Sequence, residues 1–231
     1  MSNSTASKLE ALFHALVITF AAHALPTWAG QQLQIGRWLA AMQFTDSKTA
    51  EEAWSFVGDL LCLSFGILLV APNPKRYGLC IGDIRTHWKR VFLVIAIPMF
   101  AASLVAPFLQ MPKFTISLWL ISPFAQDLVF CGYLYARFKD AFQGYIHPRI
   151  PINKAVLLTA SFFSLWHVPN YGSWPWDFVT LQLGYTFLGA AIVGMTRQWT
   201  GSMWYVTLAH TVGNFGAWCL SQSPRLPLRF G

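Results

Sequence analysis

Along the chain, apolar side chains come in seven long runs separated by short polar connections: Ala11–Trp28, Trp54–Ala71, Val91–Leu109, Thr115–Phe138, Ile152–Val168, Phe178–Arg197 and Met203–Leu220. Each approaches the roughly 20 residues that a helix needs to cross the hydrocarbon of a bilayer. None alternates with the period of two that a barrel strand would show, and helices satisfy every backbone group internally. The pattern predicts an all-α, polytopic transmembrane helical bundle of seven spans. Pro98 and Pro123 fall inside two runs and predict kinks rather than breaks, because neighbouring helices can satisfy the freed carbonyls. Between the first two runs, Leu33, Ile35, Trp38, Leu39 and Met42 predict an interfacial helix. The first run reads as an uncleaved helix rather than a signal peptide, since its only lysine, Lys8, is followed at once by Glu10.

Composition sharpens this picture. Of 231 residues, 55% are hydrophobic and 11% are charged, against about 25% charged in ordinary soluble domains. The lipid bilayer is therefore the expected surrounding, and a multi-pass protein of a bacterial inner (plasma) membrane the expected setting. With alternating spans, 11 lysines and arginines fall on one side and 5 on the other, which predicts an inside amino terminus. The net charge of +7 sits in short connections without a stacking platform of aromatics, so no nucleic-acid partner is expected and anionic headgroups account for it. Cys62, Cys80, Cys131 and Cys219 form no paired spacing, and no disulfide framework is expected. With no repeat or linker to divide it, 1–231 reads as a single transmembrane domain.

Ionisable residues inside spans are costly and are candidates for function. In the first half, His14, His23 and Asp59 show no common spacing; a single hydrogen bond or a hydrated position explains each. The second half differs. Gln126 and Asp127 lie mid-run in "QDLVFCGYL", His167 ends "FSLWH", and His210 opens "HTVGN". Asp127 with Cys131, Phe163 with His167, and His210 with Asn214 are each four apart, a separation that puts side chains on one helix face. Three helices can thus aim a polar face at one wet cavity opening to the outer side. The outer connection "VPNYGSWPW" carries Tyr171, Trp174 and Trp176 but no Lys or Arg, suiting an apolar or lipid-adjacent segment at the interface.

These three motifs, in this order and on separate runs, resemble the CPBP (CAAX protease and bacteriocin-processing) family of intramembrane proteases. Its pattern is Glu-Glu-x-x-x-Arg continuing Gly-x-Leu, then Phe-x-x-x-His, then His-x-x-x-Asn or Asp. Phe130, Gly132 and Leu134 are also in place. The resemblance covers about 75–220, leaving 1–74 as two additional amino-terminal spans. It implies glutamate-dependent hydrolysis of a peptide bond in a membrane-anchored protein or peptide substrate. His167 would orient the water, His210 and Asn214 would stabilise the oxyanion, and Asp127 would be the second acid. Phe130, Cys131, Phe163, Tyr171 and Trp174 would bind or support the substrate.

The chain departs from the pattern twice: Gln126 stands at the first acid and Cys131 at the arginine. A carboxamide cannot take a proton at neutral pH as a carboxylate does. Three readings stay open: a pseudoprotease that binds a membrane segment as a scaffold or immunity protein, Asp127 serving as base, or Gln126 as an isosteric replacement of glutamate. No cofactor is expected; zinc on Asp127, His167 and His210 is the rival reading, though no H-E-x-x-H is present.

Overall fold

The computed structural model describes residues 5–33, 47–105, 120–172 and 175–221. The expected interfacial helix beyond Leu33, the side chain of His23 and the whole of Trp174 lie outside the described residues.

Helices dominate. α1 (Thr5–Leu33), α2 (Ser47–Val70) and α3 (Ile84–Val105) precede a continuous rod of α4 (Ser122–Asp127), a π-helical stretch (Leu128–Leu134) and α5 (Tyr135–Ala141). A hairpin of β1 (Tyr145–His147) and β2 (Ile150–Asn153) leads to α6 (Lys154–Leu165), a 3-10 turn (Val168–Gly172), α7 (Trp176–Thr200) and α8 (Trp204–Ser221). The all-α expectation holds apart from this antiparallel hairpin, which pairs Tyr145 with Asn153 and His147 with Ile150. Pro98 and Pro123 both lie within helical backbone and break neither helix. Among the described residues, Thr5–Ala22 and Trp176–Thr200 are long and apolar enough to cross a membrane, and Val57–Val70 is a shorter apolar stretch.

Local chemistry sets the helix ends. The Asp83 carboxylate accepts from the Thr86 N–H at 3.2 Å and starts α3. The Asn153 side chain accepts from the Val156 N–H at 2.8 Å and caps α6. Gly201, at φ 71°, ends α7 in the left-handed conformation, and its N–H returns to the Arg197 carbonyl at 3.0 Å.

The connections 71–83, 142–153 and 201–203 gather at one end. Asp83 N–H donates to the Thr200 carbonyl at 2.9 Å and Met203 N–H to the Gly78 carbonyl at 3.0 Å. Asn153 N–H donates to Gln198 Oε1 at 2.9 Å, and Arg76 pairs with Asp140. Arg137 reaches Glu10 at 3.4 Å and His14 Nδ1 at 3.1 Å, fastening α1 to α5.

The rod from Ser122 to Ala141 is the centre of the molecule. Leu128, Val129, Phe130, Leu134 and Phe138 point to different sides of it, and all are 0% exposed, as expected of a helix apolar all round. Phe130 meets Phe163 of α6 edge to face at 5.3 Å, Phe138 packs on Phe162 at 5.4 Å, and Phe124 stacks on Trp204 of α8 at 5.3 Å. The central rod therefore touches α8, which carries His210, and α6, which His167 follows.

Candidate functional site

Asp127 ends α4 where the helix widens. Over Leu128–Leu134 the backbone adopts π geometry, and the Tyr135 N–H reaches back to the Phe130 carbonyl as well as the Gly132 carbonyl. Such turns insert one residue into a helix and are frequent at functional sites. Asp127 itself is 3% exposed. Its Oδ1 lies 3.3 Å from His210 Nδ1 on α8. Its Oδ2 is buried and makes no hydrogen bond of ordinary geometry among the described residues, with the Cys131 thiol, one turn on, beside the carboxylate. An anionic oxygen in that position is costly unless something fills the space beside it; a water or a substrate group would do so.

His167 lies two residues beyond α6, which ends at Leu165, whereas the sequence run extended the helix to Val168 and placed His167 within it. Its Nδ1 is 3.0 Å from the Phe163 carbonyl. A carbonyl only accepts, so Nδ1 is protonated and donates to it. Phe163 is the hinge of the arrangement: its ring meets His167 at 5.3 Å, His210 at 5.8 Å and Phe130 at 5.3 Å. Both histidines thus flank one aromatic ring, and one of them holds the buried carboxylate.

The remaining sequence candidates divide. Asn214 follows His210 by one turn of α8 and is half-buried. Gln126 is held elsewhere: its amide donates to Ser122 Oγ at 2.8 Å, one turn back along its own helix. Cys131 is buried within the π-helical stretch. Tyr171 packs against Trp176 with the rings tilted by 35° and their centres 4.4 Å apart, and shares a hydrogen bond of 3.0 Å with Thr180, forming a rim with the start of α7. Among the described residues no three His, Cys, Asp or Glu side chains are grouped as a metal site requires; Asp127 and His210 stand as a pair.

Two participants escaped the sequence reading. Ser122 is one, and nothing in its type or spacing marked it. The other is Arg197, which the charge pattern assigned to the inner interface but which is 5% exposed. Its Nε donates to the Cys131 carbonyl at 3.2 Å. The available signal was its position as the last residue of an apolar run, which an interfacial arginine shares.

A family model described as type II CAAX prenyl endopeptidase Rce1-like matches residues 94–216, a stretch that includes Asp127, His167, His210 and Asn214. No curated protein matches, and no solved structure matches.

Proposed function

The chain belongs to the Rce1-like family of type II CAAX prenyl endopeptidases, a family of integral membrane proteases, and on that premise we propose that it hydrolyses a peptide bond in a membrane-anchored or lipid-adjacent protein segment, with Asp127 as the general base. The observation that carries this reading is the buried Asp127–His210 pair with Asp127 Oδ2 making no hydrogen bond of ordinary geometry among the described residues. A water held between Asp127 Oδ2 and His167 Nε2 gives its proton to Asp127 as its oxygen attacks the scissile carbonyl carbon. The resulting oxyanion is met by His210 Nε2–H and the Asn214 amide. An imidazolium whose Nδ1–H is held by the Asp127 carboxylate presents Nε2–H in the direction the oxyanion needs. Collapse breaks the C–N bond, and the leaving amine takes the proton from Asp127.

The substrate segment enters from the end at which α6 finishes, opposite the end where the basic connections gather. In the seven-span, amino-terminus-inside arrangement this is the outer side, which favours processing of a translocated protein's anchor or sorting segment over trimming of a cytoplasmic prenylated tail. The rim of Tyr171 and Trp176 suits such a segment.

A second reading, a catalytically silent binder of membrane segments, is favoured by Gln126: the position where the motif has glutamate holds a carboxamide turned to Ser122. Co-expression with a library of membrane-anchored reporters separates the two. Cleavage by the wild-type chain that falls about 10²-fold or more in Asp127→Asn supports the base assigned here. Cleavage by Asp127→Asn at the wild-type rate removes it. If neither the wild-type chain nor Gln126→Glu cleaves any reporter while the wild type still co-purifies with one, the binder reading stands.

A further inference from the structure

Among the described residues, the two buried charged side chains are Asp127 and Arg197, and both attach to the π-helical stretch. Asp127 immediately precedes it. Arg197 holds its middle: Nε donates to the Cys131 carbonyl at 3.2 Å, Nη2 to the Arg76 carbonyl at 3.0 Å, and Nη1 to the Gly201 carbonyl. The guanidinium also lies 5.3 Å from the centre of the Tyr135 ring, whose hydroxyl accepts from Asn153 Nδ2 at 2.9 Å. All three oxygens are backbone carbonyls, drawn from the π-helical stretch, the 71–83 connection and the turn that ends α7. The site is shaped to the guanidinium, since a Cβ at Gly78, which has φ 88°, would come within 2.5 Å of Arg197 Cζ.

The Cys131 carbonyl lies inside the stretch whose hydrogen bonds reach one residue further than in an α-helix. Relaxation to α geometry would turn the half of the rod bearing Asp127 by about 100° relative to the half bearing Tyr135, one residue's worth of rotation. That would take the carboxylate off His210. We propose that Arg197 is a positioning residue of the candidate site, holding the π turn so that Asp127 faces His210. A planar fork satisfies carbonyls in fixed directions, which an ammonium on a flexible stem does not.

For its activity arm this inference rests on the protease reading, so the test also carries an arm that does not. In full-length protein lacking Cys62, Cys80, Cys131 and Cys219, cysteines placed by Asp127→Cys and His210→Cys are bridged with a short bifunctional thiol reagent, with Arg197 intact or changed by Arg197→Gln or Arg197→Lys. Bridging is expected to slow at least tenfold in both variants. In the otherwise native chain, kcat is expected to fall at least tenfold with KM unchanged, and Arg197→Lys is expected not to restore it. A merely structural arginine would lower the melting temperature while leaving the bridging rate and the kcat of the folded fraction unchanged, and that result overturns the proposal. If the wild-type chain cleaves nothing, the protease reading fails and the bridging rates alone decide. If Arg197→Gln does not fold, Arg197→Lys carries the same comparison.

Discussion

Phe163 shows how one side chain can serve packing and chemistry together. Its ring touches Phe130 of the central rod and both candidate histidines, while its own carbonyl fixes the proton of His167. Truncation by Phe163→Ala is expected to cost about 3–5 kcal/mol, as for other buried aromatics. Phe163→Leu is the sharper probe, because it keeps most of the volume and should cost less than about 1.5 kcal/mol. It nevertheless removes the ring edge on which both imidazoles rest, so kcat should fall further than stability does. Melting temperature and kcat measured on one preparation check this; a loss of kcat no larger than the lost folded fraction would reduce Phe163 to filler. At this scale the sequence was most readable where burial and polarity conflict. Asp127, His167 and His210 stand out against apolar neighbours, and the structure brings Asp127 to His210. Arg197 was hidden because a charge at the end of an apolar run has two homes, the headgroups or the interior, and residue type alone does not choose between them.

Helix ends are where element-scale chemistry is exposed to solvent. Hydrogen bonds from Thr86, first from its side chain and then from its backbone, hold the Asp83 carboxyl below its ordinary range, with the positive field of His87 adding to them. A carboxyl lowered in the folded state stabilises it above the unfolded value, about 3.9, and that contribution is lost as pH falls through the folded value. Asp83→Asn keeps a side chain able to cap but cannot titrate. Its melting temperature in detergent is therefore expected to decline less steeply than that of the wild type below about pH 4. Identical acid limbs for the two proteins would show that Asp83 contributes nothing there. The apolar runs marked the helices because burial in lipid or core demands unbroken apolar stretches. They could not mark the π-helical stretch, which is a change of hydrogen-bond register with no side-chain signature of its own. Nor did they mark the hairpin, whose two prolines, Pro148 and Pro151, read as a plain connection.

Across the whole molecule, the candidate chemistry is divided between two parts of the chain. Gln126, Asp127 and the rod that carries them precede the hairpin; His167, His210, Asn214 and Arg197 follow it. The tip of that hairpin, at Pro148 and Arg149, is exposed, whereas the parts meet through the Phe130–Phe163 contact, the Asp127–His210 pair and the Arg197 bonds to Cys131 and Arg76. Exposed tips of this kind tolerate interruption when few contacts depend on the broken bond. The gene could therefore be split between codons 149 and 150 and its halves expressed separately, each inserting on its own before they find one another. Co-purification of the halves, and cleavage activity only when both are present, is the expected outcome; halves that never associate would show that the hairpin is needed to bring them together. The protein would then be, in effect, an obligate heterodimer that happens to be translated as one chain, with its acid and its histidines contributed by different partners.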